Sequence, residues 1–432
     1  MVAGWIDSVC LSFAWTLLLL EILDRYGLRA AGLAGAAMLV GVSLSAPVAS
    51  HLSHLLSGCQ LLRTAAAAEA VLRVGVFALL FLDVGIWVLA SCVVVMNVTA
   101  WTGYAAMRAE VAAVAPGPAA ITLYGTGVAA VEALGAAAAA VVPASILQDF
   151  SSAVLCIVVV YVFALLPTVL VAGQSPIPPG VRERGPSPVR SRPSLPLVAG
   201  VLLMAIASAP TLLYVPLAAE LHGRSSVAMA AVAFTLGSLT APYVAGVIER
   251  WGANGPLAWI GCAVGMLVLW PFAPLSITVL CVAQLLSGQF MTTLEGLLDA
   301  STAAQARGRV TGALARGTAG RALGSAAGTA ALPFGLVAVG LSTLTGTLAL
   351  ALMGGGFLAA VASLRGNHVM ANQAFTASDG RGAELGPMMD HGGRGTQVRG
   401  KGRLPDQAGH APFTRQQPHD TEPDPTSRDQ RW

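Results

Sequence analysis

The sequence predicts an all-α integral membrane protein with about twelve transmembrane helices, arranged as two pseudo-symmetric six-helix bundles. Hydrophobic residues make up 55% of the 432 residues, charged residues make up only 10%, and the mean hydropathy is +0.72. Soluble domains carry about 25% charged residues, and a bilayer core of about 30 Å requires about 20 apolar residues per helix. Apolar runs of that length recur from Leu11 to Leu364, so we expect repeated membrane crossings.

Short polar breaks divide the apolar sequence into segments. The stretch from Leu72 to Trp101 is nearly continuous, but a single helix of that length would reach about 45 Å, well beyond the hydrocarbon thickness. Asp83 and Gly85 lie where a turn would divide it, and a charge costs less at a turn than at mid-bilayer. The predicted helices are 8–24, 29–51, 66–84, 86–107, 117–143, 151–172, 197–219, 225–247, 255–273, 276–297, 313–339 and 343–364.

Two segments are unsuited to the membrane. Residues 173–194 are rich in Pro, Ser and Arg, which is typical of an extended linker. From about Gly366 onward the chain is poor in aliphatic residues, so it cannot bury a core and we expect it to be disordered. The predicted domains are an N-terminal six-helix bundle (1–172), a cytoplasmic Pro/Arg-rich linker (173–196), a C-terminal six-helix bundle (197–364) and a disordered cytoplasmic tail (365–432).

The distribution of arginine predicts the orientation. With the N-terminus inside, three arginines fall in the outer loops, Arg25, Arg29 and Arg224, and nine fall in the inner loops. This is the positive-inside bias, and an even number of helices is needed to obtain it. We therefore expect a bacterial cytoplasmic membrane protein with both termini in the cytoplasm. The inner arginines are Arg63, Arg108, Arg182, Arg184, Arg190, Arg192, Arg250, Arg307 and Arg309.

The two halves of the chain resemble each other. LSAP at residues 44–47 recurs as LTAP at 239–242, each at the end of the second helix of its half. EALG at residues 132–135 likewise matches RALG at 321–324, in helices 5 and 11. Because these similarities occur in the same order at near-constant offset, they indicate an internal duplication. Parallel six-helix repeats related by an axis along the membrane normal are one architecture of transporters.

A motif after helix 8 adds a family resemblance. Glu249, Arg250 and Gly252 are similar to the Asp-Arg-x-Gly motif of the major facilitator superfamily. Together with the six-plus-six helices and the basic central loop, this motif makes the sequence resemble that superfamily over about residues 11–364. The resemblance implies two bundles that rock about a midplane site, and a charged cytoplasmic loop that steadies the outward-open state. In the first half this motif is largely missing. The gating-loop candidates are Glu249, Arg250, Gly252, His54, Arg307 and Arg309.

Ionisable and polar residues within helices are the candidates for chemistry, because each costs several kcal/mol in a membrane unless it is paired or wet. Glu132 in helix 5 can accept a proton in one state and release it in another. Its counterpart Arg321 suits an anionic substrate group or a static pair. Alternatively, both residues pair locally near the cytoplasmic side. Asn97, Gln284 and Gln289 either line a central cavity or bond between helices.

The remaining charges within the helices favour structural roles. Glu69 and Arg73 are four residues apart and predict an ion pair along one helix face. Glu295 and Asp299, also four residues apart, end helix 10 beside the inner residues Arg307 and Arg309, for which they are candidate latch partners. Glu21 and Asp24 end helix 1, where a surface role is favoured over proton entry.

No motif of an enzyme is present: GxSxG, HExxH and the phosphate-binding loop are absent from the sequence. The six cysteines lack metal-ligand spacing, and the net charge of +3 does not indicate nucleic acid. We expect a monomer in the lipid bilayer that carries a small molecule and protons, without a cofactor. Proton-coupled export is the preferred function. Proton-coupled uptake, a non-transporting sensor or assembly partner with the same fold, and a membrane-embedded enzyme are the alternatives.

Overall fold

A computed structural model describes residues 1–82, 84–115, 118–143, 150–175, 194–250, 255–305 and 310–358, and these contain helices but no strand. Most of the linker and the whole tail lie outside these ranges, so the domain boundaries there stay predictions. The helices are α1 (Val2–Ser53), α2 (Gly58–Phe81), α3 (Ile86–Val114), α4 (Pro118–Ala140), α5 (Phe150–Ala172), α6 (Leu195–Ala207), α7 (Ala209–Leu212), α8 (Tyr214–His222), α9 (Ser225–Arg250), α10 (Pro256–Leu267), α11 (Ile277–Gln305), α12 (Val310–Val339) and α13 (Leu341–Leu358), with a 3₁₀ turn at Trp270–Leu275.

The described helices supply twelve membrane crossings. Ten helical spans are long and apolar enough to cross a bilayer. One of them, α1, has 52 residues, or about 78 Å at 1.5 Å per residue, and therefore crosses twice. The stretch 195–222 is divided into α6, α7 and α8, and it provides one further crossing. The predicted all-α membrane fold with about twelve helices is confirmed.

Glycine makes the sharp reversals on one face of the molecule. Gly27 has φ 78° and ψ 179°, so the two arms of α1 meet there without a loop. Gly223, with φ 86° and ψ 165°, makes the corresponding reversal between α8 and α9 in the second half. This backbone conformation is nearly exclusive to glycine. We call this side of the molecule the Gly27 face, and the opposite side the Met1 face.

The helix boundaries differ from the prediction at several places. The third predicted helix, which is α2 of the structure, begins at Gly58 rather than at residue 66, because Ser57 and Gln60 form a reciprocal capping box there. Arg63 consequently lies within α2 and not in a loop, and Arg108 lies within α3 because α3 continues to Val114, past the predicted end at residue 107. The turn predicted near Gly85 is confirmed, since α2 ends at Phe81 and α3 begins at Ile86, while Asp83 lies outside the described residues.

Close helix contacts repeat in the two halves, as the sequence duplication predicts. A methyl group added to Gly135 in α4 would collide with the carbonyl oxygen of Val9 in α1. A methyl group on Gly324 in α12 would collide in the same way with Val201 in α6. The two glycines are corresponding residues of the EALG and RALG segments, and each brings its helix against the first helix of its own half. Equivalent approaches join Gly41 to Val94 and Gly237 to Leu285.

The halves share a core on the Gly27 face but have separate cores on the Met1 face. Ala31 of α1, Leu213 between α7 and α8, and Trp270 belong to one buried cluster that spans both halves. Near the Met1 face, the cluster around Leu62 contains only first-half residues, and the cluster around Leu298 contains only second-half residues. The halves meet through α1 against α12 and through α4 against α9.

Candidate functional site

A cavity of about 200 Å³ lies between the two halves, near the middle of the membrane. Glu132 lies eight residues before α4 ends at Ala140, and Asn97 lies eleven residues after α3 begins at Ile86. At 1.5 Å per residue these offsets are about 12 and 17 Å, close to half of the hydrocarbon thickness. The polar residues that line the cavity are Ser12, Arg73, Asn97, Glu132, Thr211 and Tyr214.

Glu132 lines two cavities, as do Leu11 and Trp101. Its backbone oxygen accepts a 2.7 Å hydrogen bond from Ser12 Oγ, which fixes α4 against α1 at this level. A second cavity of about 200 Å³, lined also by Tyr104 and Gly125, reaches the same side chain. Within the described part of the chain, the Glu132 carboxylate forms no ion pair. A carboxylate in this position needs water, a proton or a ligand to offset its desolvation.

Arg73 also lines the central cavity, but it already has a carboxylate partner. Its Nε lies 3.0 Å from Glu69 Oε1, and the side chains of Arg73 and Glu69 are only 2% and 4% exposed. The predicted pair is therefore present, and it is buried. The guanidinium also lies 5.4 Å from the ring centroid of Tyr161. Nearby, Asp7 Oδ1 is buried without a hydrogen-bond partner.

The three polar candidates occupy different places. Asn97 lines the cavity, and its Nδ2 donates a 2.9 Å hydrogen bond to Val93 within α3. Gln284 is fully buried outside the cavity, and its Nε2 donates to the Thr211 carbonyl at 3.3 Å. Gln289 joins α11 to α9 through a 3.0 Å hydrogen bond to Thr240, nearer to the Met1 face. Only Asn97 is therefore in a position to touch a ligand of the central cavity.

Arg321 corresponds to Glu132 by sequence but not by environment. Its Nη2 lies 2.8 Å from Asp299 Oδ1, and the side chain is 7% exposed. The contact lacks directed hydrogen-bond geometry, so it is an ion pair within the second half. This contact fits both the static pair and the local pairing predicted for Arg321, and a role in binding a substrate stays a prediction. Asp299 is accordingly a partner of Arg321 in this structure, and the inner residues Arg307 and Arg309 lie outside the described ranges.

Within the described part of the chain, no hydrogen bond or ion pair joins the gating-loop candidates to one another. His54 is exposed and forms the C-cap of α1. Glu249 and Arg250 are exposed in the last turn of α9, which extends three residues past the predicted end at 247, and Arg250 Nε donates to Gly246 at 3.1 Å. Gly252, Arg307 and Arg309 lie outside the described ranges, so a cytoplasmic latch stays a prediction.

A charged cluster on the Gly27 face was not predicted. Arg224 of the second half pairs with Asp24 and lies 3.4 Å from Glu21 Oε1, both in the first half. Arg25 adds a 3.6 Å contact to Glu21 within α1. We call these four residues the Arg224 cluster. The sequence predicts only a surface role for Glu21 and Asp24, because no sequence signal connects them with Arg224, about 200 positions away.

Comparison with solved structures shows what the fold is similar to. The nucleoside transporter NupG superposes with a TM-score of 0.58 at 10% identity, over 84% of this chain and 97% of its own. The inward-open xylose transporter XylE from E. coli gives 0.60 at 13% identity, over 82% and 94%. A POT family transporter in complex with a thioalcohol-conjugated peptide gives 0.62 at 11%, over 84% and 95%.

The sequence matches no family model and no curated protein. The fold likeness nevertheless covers nearly the whole length of each of these transporters, which move different solutes. It agrees with the twelve crossings, the duplicated close contacts and the cavity between the halves. The chain is thus a multi-pass membrane protein with the fold of major facilitator transporters.

Proposed function

We propose that this protein is a secondary active transporter that moves a small organic molecule across a bacterial cytoplasmic membrane by alternating access. The observation that carries the proposal is the cavity at mid-membrane between the two halves, which contains the Glu132 carboxylate outside any described ion pair. Substrate and coupling-ion sites of such repeat-built transporters lie at the repeat interface near the midplane.

The packing of the halves supports an alternating mechanism. One shared core holds the Gly27 face together, while separate cores leave the halves independent on the Met1 face. Rocking about the cavity would exchange these arrangements, opening the Gly27 face and closing the Met1 face. With the arginine bias placing the Met1 face in the cytoplasm, the observed state would admit a substrate from the inside.

Glu132 is the proposed coupling residue, and export in exchange for protons is the proposed direction. A protonated Glu132 would be neutral and tolerate burial, whereas an ionised Glu132 would require a ligand or water. Arg321 would hold the second half together through Asp299 rather than bind the substrate. The exposed ends of α1 and α9, with His54, Glu249 and Arg250, would approach each other when the Met1 face closes.

The test is the accumulation of a panel of fluorescent and antibiotic compounds in an efflux-deficient bacterial host. The strains express the wild type, Glu132→Gln, Glu220→Gln or an empty vector, each with and without a protonophore. Glu220 is the matched control because it is an exposed glutamate at the end of α8, away from the cavity.

If the protein exports the compound, the wild type and Glu220→Gln should accumulate less of it than the empty vector does. Glu132→Gln and the protonophore should each restore accumulation to the level of the empty vector. Higher accumulation in the wild type would change the direction to uptake. Compounds that distribute equally in all strains, with the proteins folded and in the membrane, would contradict transport and favour the non-transporting alternative.

A further inference from the structure

The charges that face the central cavity differ in how far they are already neutralised. Arg73 is held at 3.0 Å by Glu69, and this pair is almost completely buried. Because Arg73 has this acidic partner inside the protein, a substrate anion would have to compete with Glu69 for the guanidinium.

Glu132 has no such compensation. The described cavity wall contains one arginine and one glutamate, and the arginine is neutralised by Glu69. The charge left for a ligand to balance is therefore the negative charge of Glu132. A cation in the cavity would offset the cost of an ionised carboxylate at mid-membrane, whereas an anion would increase it.

Aromatic side chains line the same cavity as Glu132. Trp15 and Trp101 line the cavity from the first half, and Tyr214 and Phe234 line it from the second. Aromatic faces attract cations and also bury the apolar body of a ligand, and tryptophan does both best. An aromatic lining around one carboxylate suits an organic cation better than a sugar, whose hydroxyl groups require many hydrogen-bonding partners.

From these contacts we infer that the substrate is a small monovalent organic cation with an apolar or aromatic body, and that its charge rests on Glu132 among the aromatic side chains. The inference depends on the proposed transport function, because it takes the central cavity to be the substrate site. The aromatic residues come from both halves, so a bound cation would contact both bundles. The central cavity of about 200 Å³ accommodates a compact molecule.

The experiment measures binding separately from transport. The full-length protein is purified in detergent, and isothermal titration calorimetry compares benzyltrimethylammonium, a permanent cation, with phenylacetate, benzyl alcohol and phenylalanine. These probes share an aromatic ring and differ in charge. We expect the cation to bind most tightly, and Glu132→Gln to weaken its binding at least tenfold, which corresponds to about 1.4 kcal/mol.

Two further variants keep the result interpretable. Trp101→Leu leaves the carboxylate and removes one aromatic face, and it should weaken binding of the cation about threefold or more. Glu220→Gln should leave binding unchanged. Tighter binding of phenylacetate or phenylalanine than of the cation, or equal cation affinity in Glu132→Gln and the wild type, would overturn the inference.

Transport in proteoliposomes separates the two proposals. Flux of a neutral or anionic compound driven by a pH gradient, without binding of the cation, would retain the transporter and reject the cationic substrate. Binding of the cation through Glu132, with no flux of any compound, would retain the cation site and reject transport.

Discussion

Arg224 links the two halves on the Gly27 face, and removing its charge tests whether this link biases the conformation. Arg224→Gln removes the ion pairs with Glu21 and Asp24 but keeps a polar side chain. The Arg224 side chain is 25% exposed, that of Asp24 is 52% exposed and that of Glu21 is 9% exposed, so solvent screens the pair with Asp24 more than the pair with Glu21. Partly screened pairs contribute about 0.2–1 kcal/mol each, and we take about 1 kcal/mol for the two together, or about a fivefold change in the equilibrium between closed and open Gly27 faces.

Hydrogen exchange measured by mass spectrometry reads out this equilibrium. Peptides covering residues 20–30 and 214–228 should exchange about fivefold faster in Arg224→Gln, while peptides near the Met1 face keep their rates. Arg25→Gln is the matched control, because Arg25 contacts Glu21 within α1 and does not join the halves through that contact. Unchanged exchange on the Gly27 face, or faster exchange throughout the protein, would refute the reasoning.

Three further predictions concern stability, each measured by SDS-induced unfolding in mixed micelles. Gly27→Ala places a side chain at φ 78° and ψ 179° and should lower the free energy of unfolding by about 1–3 kcal/mol. Gly135→Ala forces a methyl group against the backbone of α1 and should cost about 1–3 kcal/mol. Glu69→Gln leaves the buried Arg73 without its carboxylate partner and should lower the free energy of unfolding by about 3 kcal/mol. Asp299→Asn should lower it by less than half as much, because the Asp299 side chain is 40% exposed.

Matched controls accompany these variants. Gly75 lies within α2 and Gly125 within α4, and a methyl group added to either would meet no atom within 4 Å beyond the adjacent residues of its own helix. Both alanine variants should be neutral or slightly stabilising, because alanine is the better helix former. Equal stability of Gly27→Ala and Gly75→Ala would contradict the strain at the reversal. If Gly125→Ala lowered the free energy of unfolding as much as Gly135→Ala, the close contact of Gly135 with Val9 would be contradicted. If Asp299→Asn lowered it more than Glu69→Gln, the effect of burial on the ion pairs would be contradicted.

Local sequence patterns predicted the fold because membrane crossings are determined locally. Apolar length gave the number of crossings, and the repeated EALG and RALG segments marked glycines that make corresponding contacts in both halves. The sequence also singled out Glu132, whose position near mid-helix places it at the level of the cavity. Its role in coupling stays a prediction.

The misses concern contacts between distant segments. The sequence correctly predicts the local pair of Arg73 with Glu69, but periodicity cannot show that the same residue also lines a cavity when the helix is apolar on all sides. The Arg224 cluster joins residues about 200 positions apart, and only the packing of the halves creates it. For Arg321, the sequence identified a residue that requires a partner but not which carboxylate provides it.

The unequal division of the core has a consequence for biosynthesis. The core near Leu62 uses only first-half residues, so it can form as soon as those helices have left the ribosome and entered the membrane. The shared core on the Gly27 face must wait, because its members Leu213 and Trp270 belong to segments synthesised later. The first half would meanwhile expose small residues of α1 to lipid. We therefore expect the two halves, expressed as separate polypeptides, to assemble through this surface after insertion.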